Sequence, residues 1–158
     1  ITQAGLENSS TSIAEAGTLL MALYGQGKTR GQVAILGIPA TYNQACAAIT
    51  FSKDVLTEYM RYYFISSYHH VRDDGNETTQ MNLSSGYVKN IPILVPHDTG
   101  IQRQIVSFLD EQTGKYDKLI ATARSAINKL NEYRTSLISA AVTGKIDVRN
   151  HPSAASLN

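Results

Sequence analysis

The last third of the chain carries an apolar stripe that is too long for a domain of this size to bury. Apolar or small residues recur at Ile105, Leu109, Tyr116, Leu119, Ile120, Ala123, Ile127, Leu130, Tyr133, Leu137, Ile138 and Ala141. Steps of three and four sustained over this distance put them on one face of a helix. The stripe nearly keeps a seven-residue repeat, so it suits a partner helix as well as a core. At 1.5 Å per residue, residues 114–142 alone would span roughly 43 Å. That exceeds the diameter of any domain the remaining residues could build. Such a helix is expected to protrude, and its stripe to require a partner.

What remains must form a modest domain. A chain of 158 residues suits one ordinary domain, or a smaller domain with a projecting element. With 42% hydrophobic and 17% charged residues, it is globular rather than disordered. No apolar run approaches the roughly eighteen residues of a membrane span. The first ten residues lack the basic and apolar regions of a secretory signal. The single cysteine, Cys46, excludes an intramolecular disulfide framework and fits a cytoplasmic protein. The formal net charge is +1. Up to Pro96, six Lys and Arg stand against seven Asp and Glu; after it, eight stand against six. Neither half has the basic excess of an autonomous nucleic-acid binder.

Residues 1–16 are polar and without a clear period, and read as a loop with one edge strand at most. Residues 18–24 and 32–36 are apolar runs separated by GQGKTRG, residues 25–31. Glycines permit positive φ and close backbone approach, so the pattern predicts a hairpin whose tip carries Lys28, Thr29 and Arg30. A third strand is expected over 44–51, entered through a turn containing Pro39 and Asn43. Val55, Leu56, Tyr59, Met60, Tyr63 and Phe64 fall at helical spacing, which predicts a helix over 53–68 capped by Ser52. A polar loop should follow at residues 69–77. Residues 78–83 read as a short strand or extended loop, 84–89 as one helical turn, and 91–95 as a closing strand interrupted by Pro92 and Pro96. A first C-terminal helix capped by Asp98 or Thr99 should end near Glu111. Thr113 and Gly114 then make a junction to the long helix, which Gly144 stops.

The fold class is therefore mixed α/β (α+β) with a long helix appended. Residues 1–97 form the compact domain, 98–149 the helical region and 150–158 a disordered tail.

The chemistry-bearing residues form no catalytic set. GQGKTRG lacks the spacing of a phosphate-binding loop and precedes a strand instead of a helix. Lys28 and Arg30 could meet phosphates or base edges, or simply be solvated. His69, His70, Asp73 and Asp74 lack a second group of ligands, which favours a solvated helix end over a metal site. Cys46 has no charged helper that would stabilise a thiolate. Asp54 and Glu58 share a charged face with Arg61, which argues against acid–base work. Asn43, Gln44, Gln80 and Asn82 are amides able to read adenine edges or to cap turns locally.

Several stretches together resemble the specificity subunits of type I restriction–modification systems. LISAAVTGKIDVR, residues 137–149, is similar to the segment closing a conserved region of that family. IPILVPHDTGIQRQIVSFLDEQTGKYDKLI is similar to its junction from recognition domain to helix. GQGKTRGQVAIL, NQACAAI and TTQMNLSSGYVKNI follow in the family's order. One departure is Ile101, where the family commonly has Glu before the Gln of the junction.

The resemblance implies one target-recognition domain, lacking its opening part, plus one helical conserved region. It implies a non-catalytic subunit that reads half of an interrupted site in double-stranded DNA. DNA contacts are then expected at Lys28, Thr29, Arg30, Asn43, Gln44, Gln80, Asn82 and Lys89. Antiparallel helix pairing is expected through Tyr116, Leu119, Ile120, Ile127, Leu130 and Leu137, with a second copy if this half acts alone. Partners would be methyltransferase subunits and a motor/nuclease subunit. These would carry S-adenosylmethionine, Mg and ATP, so this chain needs no cofactor and no metal. A helical scaffold without DNA readout, or a small hydrolase built on Asp54, Glu58 or the His pair, are the alternatives.

Overall fold

The computed structural model describes residues 2–25, 28–74 and 82–149. The chain divides into two compact units, Ile1–Leu109 and Asp110–Asn158.

In the first unit the elements run α1 (Gln3–Glu7), β1 (Ile13–Ala14), β2 (Leu19–Ala22), β3 (Val33–Ile35), β4 (Ala40–Thr41), β5 (Cys46–Ile49), α2 (Thr57–Ser66), α3 (Tyr68–Asp74) and α4 (Ser85–Lys89). The helix α5 (Thr99–Val142) then runs through the boundary between the units. The described strands form two antiparallel sheets, β1-β4 and β3-β2-β5. The hairpin expected from the two apolar runs is present, with Leu19 opposite Ile35 and Met21 opposite Val33. The expected third strand pairs with the other edge of β2, placing Leu19 opposite Ile49 and Ala22 opposite Cys46.

The central strand explains the core. Side chains alternate along a strand, so Leu19, Met21 and Leu23 point the same way, and all three are buried. They pack with Met60 and Phe64, one turn apart on α2, with Val71 of α3, and with Leu83. Burying each such side chain is worth about 1.5–3 kcal/mol.

Local structure departs from the expectations in five places, each for an identifiable reason. Residues 3–7 form a short helix because Thr2 Oγ1 accepts from Gly5 N–H. Ser52 does not cap α2: the N-cap is Leu56, which has no capping side chain, and its N–H donates to Gln102 Oε1 at 2.8 Å. Residues 69–74 continue as helix α3 where a loop was expected, because Val71 has a place in the core. Residues 91–95 form no ladder. The phenols of Tyr63 and Tyr59 instead donate to the carbonyls of Pro92 and Leu94, both at 3.0 Å. Thr113-Gly114 is no break either, since α5 is one helix of 44 residues. A lone glycine costs a helix only about 1 kcal/mol, and the Glu111–Lys115 pair spans the spot at 2.7 Å. Ser84 does cap α4, as the predicted helical turn requires.

The first turns of α5 belong to the first unit. Asp98 Oδ1 accepts from Gly100 N–H at 2.6 Å, a helix N-cap. Gln102 is fully buried. Beyond its bond to Leu56, its Nε2 donates to the carbonyls of Asp54 and Pro96, both at 2.8 Å. This anchoring ties the start of α5 to the first unit.

In the second unit, α5 ends as the glycine signal predicts. Gly144 adopts φ +71°, and Lys145 N–H reaches Ala140 O at 2.8 Å while Gly144 N–H reaches Ala141 O at 3.2 Å. These two bonds make a Schellman motif, which needs a left-handed residue at that position. Beyond it, hydrogen bonds from the Arg149 side chain, and then from its backbone, hold the Asp147 carboxyl below its ordinary value. The stripe residues Tyr116, Leu119, Ile120, Ile127, Leu130 and Leu137 are 45–67% exposed. No described helix is long and apolar enough to cross a membrane. The tail expected to be disordered, 150–158, lies outside the described residues.

Candidate nucleic-acid interface at one end of the sheet

Three separate chain segments converge where β2 ends. Leu23 N–H donates to Ala45 O at 2.8 Å, and Leu23 O accepts from Leu83 N–H at 2.9 Å. One residue earlier, Ala22 exchanges hydrogen bonds with the far end of the hairpin, donating to Gln32 O and accepting from Gly31 N–H. The β2–β3 loop, the turn before β5 and the segment leading to α4 therefore meet at one end of the three-stranded sheet.

This convergence gathers most of the residues expected to contact DNA, although they differ in what they present. Lys28 and Thr29 are exposed on the β2–β3 loop. That loop depends on its glycine composition: Gly25 has φ +127°, and a Cβ there would lie 2.9 Å from Thr29 Cβ. Asn43 and Gln44 are exposed on the turn before β5, and Asn82 is exposed beside Leu83. Asn43 also serves its own turn, with Oδ1 accepting from Ala45 N–H at 3.0 Å.

Arg30 is a correction. It was expected at an exposed tip, but it is only 5% exposed and its Nη2 donates to Arg72 O at 3.1 Å. The loop folds Arg30 inward because α3, absent from the expectation, offers a helix-end carbonyl there. Lys89 is exposed at the end of α4, lining a separate cavity of about 580 Å³ with Tyr42, Cys46 and Ser85. Gln80 lies outside the described residues.

Several side chains at this end were not singled out from the sequence. Asn43 and Gln44 share a polar cavity of about 840 Å³ with Ser10, Thr11, Ser12 and Tyr42. Tyr42 lines both this cavity and the one holding Lys89, so it links the two. In sequence the serines and threonine carry one signal, hydroxyl density ahead of an edge strand. At the β3 edge, Lys28 shares a cavity of about 560 Å³ with Gln32, Tyr68, His69 and Arg72. His69, weighed in sequence only as a metal or hydrolase candidate, and Arg72, part of the expected polar loop, come to line this cavity only because α3 forms. Among the described residues, no group of His, Cys, Asp and Glu could hold a metal ion.

The class of fold is a small mixed α/β domain continuing into a long helix. It is similar to a chain from a study of complex assembly and conformational transition of the type I R-M system. The TM-score is 0.70 over 84% of this chain, at 16% identity. This chain spans 32% of that one, so the likeness is one of fold. The family follows from sequence: the chain belongs to the type I restriction modification DNA specificity domain family, whose model matches residues 1–132.

Proposed function

We propose that this chain reads half of an interrupted site in double-stranded DNA, using the end of the sheet where the three loops meet. The observation that carries the reading is the meeting at the end of β2 of three segments, the β2–β3 loop with exposed Lys28 and Thr29, the turn with Asn43 and Gln44, and the segment with Asn82, in a chain of the DNA specificity family. Amides pair bidentately with adenine edges in the major groove, and lysine meets phosphates as a point charge.

The chain does no chemistry of its own. Methyltransferase subunits and a motor/nuclease subunit dock on it in the cytoplasm and carry S-adenosylmethionine, Mg and ATP. The stripe from Tyr116 to Leu137 pairs antiparallel with another long helix, from a second copy where this half acts alone. The near-neutral net charge of +1 supplies few phosphate contacts, so isolated affinity is low and its salt dependence shallow. Partner subunits complete the grip on the duplex.

Methylation mapping in cells carrying alanine variants tests the reading. Asn43→Ala, Gln44→Ala and Asn82→Ala should each relax the methylated motif at one position, a loss of about 1–3 kcal/mol of discrimination. An unaltered motif and methylation level in all three would place the reading surface elsewhere.

A further inference from the structure

The β2–β3 loop is tied to α3 by hydrogen bonds running both ways. The Tyr68 phenol donates to Lys28 O at 2.8 Å, while Arg30 Nη2 donates to Arg72 O at 3.1 Å. Arg72 Nη1 in turn donates to the Tyr68 phenol oxygen at 3.1 Å, with its guanidinium 6.0 Å from the ring centre. Tyr68 thus sets the position of Arg72 relative to the loop carrying Lys28. The cavity of about 560 Å³ at this junction has Lys28, Gln32, His69 and Arg72 on its polar side. Val33, Phe64 and Ile65 supply apolar wall. No described side chain lining it is a carboxylate.

A cavity of this composition recognises an oxyanion with several acceptor atoms. Lys28 supplies a compact point charge and Arg72 a planar fork of donors. The apolar wall strengthens both interactions by excluding water on one side. We propose that it seats a backbone phosphate of the bound DNA duplex, held by Lys28 and Arg72, which makes α3 a phosphate-facing element. This rests on the DNA-reading function above. Continuity favours DNA over an acidic protein surface. Lys28 lies on the β2–β3 loop, whose foot at Gly31 and Gln32 bonds Ala22 at the end of the sheet that also holds Asn43, Gln44 and Asn82.

The test is fluorescence anisotropy of the full chain with a labelled mixed-sequence duplex across a salt series. Replacing both Lys28→Gln and Arg72→Gln should flatten the slope of log K against log salt by about 0.9, the loss of one phosphate contact. Lys28→Gln alone should flatten it by less. Its structural tie runs through the backbone carbonyl and survives the substitution. Arg72→Lys should retain the wild-type slope. If Arg72 were merely structural, Arg72→Lys and Arg72→Gln would change the slope alike.

An unchanged slope in the double variant overturns the proposal, as does equal flattening by the two Arg72 variants. So does the absence of measurable wild-type binding at the lowest salt. An unchanged slope alongside motif changes in the Asn43, Gln44 and Asn82 variants removes the phosphate seat and leaves the reading surface standing. A flattened slope with an unaltered motif in those variants does the reverse.

Discussion

Leu19 and Leu119 are the same residue type in elements of the same chain, yet one is fully buried and the other 65% exposed. In β2, apolar side chains alternate and meet α2, α3 and Leu83 within their own unit. In α5, the apolar stripe from Tyr116 onward meets no such cover among the described residues. Folding of the first unit therefore draws on apolar burial within the chain. The second unit instead leaves its apolar stripe exposed, and an exposed patch of that kind marks an interaction surface.

The contrast is most sharply tested by truncating each leucine to alanine. Leu19→Ala should destabilise the first unit by about 2–5 kcal/mol through the cavity it leaves. Leu119→Ala should change monomer stability by less than about 0.5 kcal/mol, as an exposed substitution does. Denaturant melts of both variants decide it, and equal losses would mean that the stripe is already covered within the chain.

Next in size is the anchor of α5. Gln102→Ala strands Leu56 N–H and the carbonyls of Asp54 and Pro96. The expected cost is about 2–3 kcal/mol, because unpaired polar groups lose their partners in a buried place. Amide exchange should rise at Leu56 and around residues 98–102 while the stripe residues stay unaffected. Exchange rising all along α5 would show that its far turns depend on the same anchor.

The stripe itself is probed by Leu130→Asp. Losing one buried leucine at a helix pair is worth about 1.5–3 kcal/mol, or roughly a tenfold to hundredfold weaker association. Sedimentation should show the pair dissociating. A stable monomer for the unsubstituted chain, with α5 intact, would remove the need for a partner.

The smallest effect concerns the end of the second unit. The Asp147 pKa is lowered below its ordinary value, so the stabilisation its charge contributes is present above that value. It is lost as pH falls through the lower folded value. The Asp147 carboxyl should titrate below its ordinary value by NMR and return toward it in Arg149→Ala, with no change in the melting of the first unit. A carboxyl titrating at its ordinary value in the unsubstituted chain would mean that this exposed pair does not persist in solution.

Periodicity alone determined much of this molecule. The apolar runs at 18–24 and 32–36, the helical spacing of Tyr59, Met60, Tyr63 and Phe64, and the stop at Gly144 are local patterns. Local patterns survive without knowledge of neighbours. The family too was legible, because its segments stand in order along the chain. Tertiary structure alone decided the rest. Gly114 looked like a break, but flanking turns of helix outweigh one glycine. Residues 69–74 looked like loop by composition, but the core had a place for Val71 and so drew them into a helix. That helix then turned Arg30 inward and brought His69 and Arg72 beside Lys28, an encounter between residues about forty positions apart. Spacing in sequence holds no record of such a contact, because it depends on which carbonyl the fold leaves within reach of which donor.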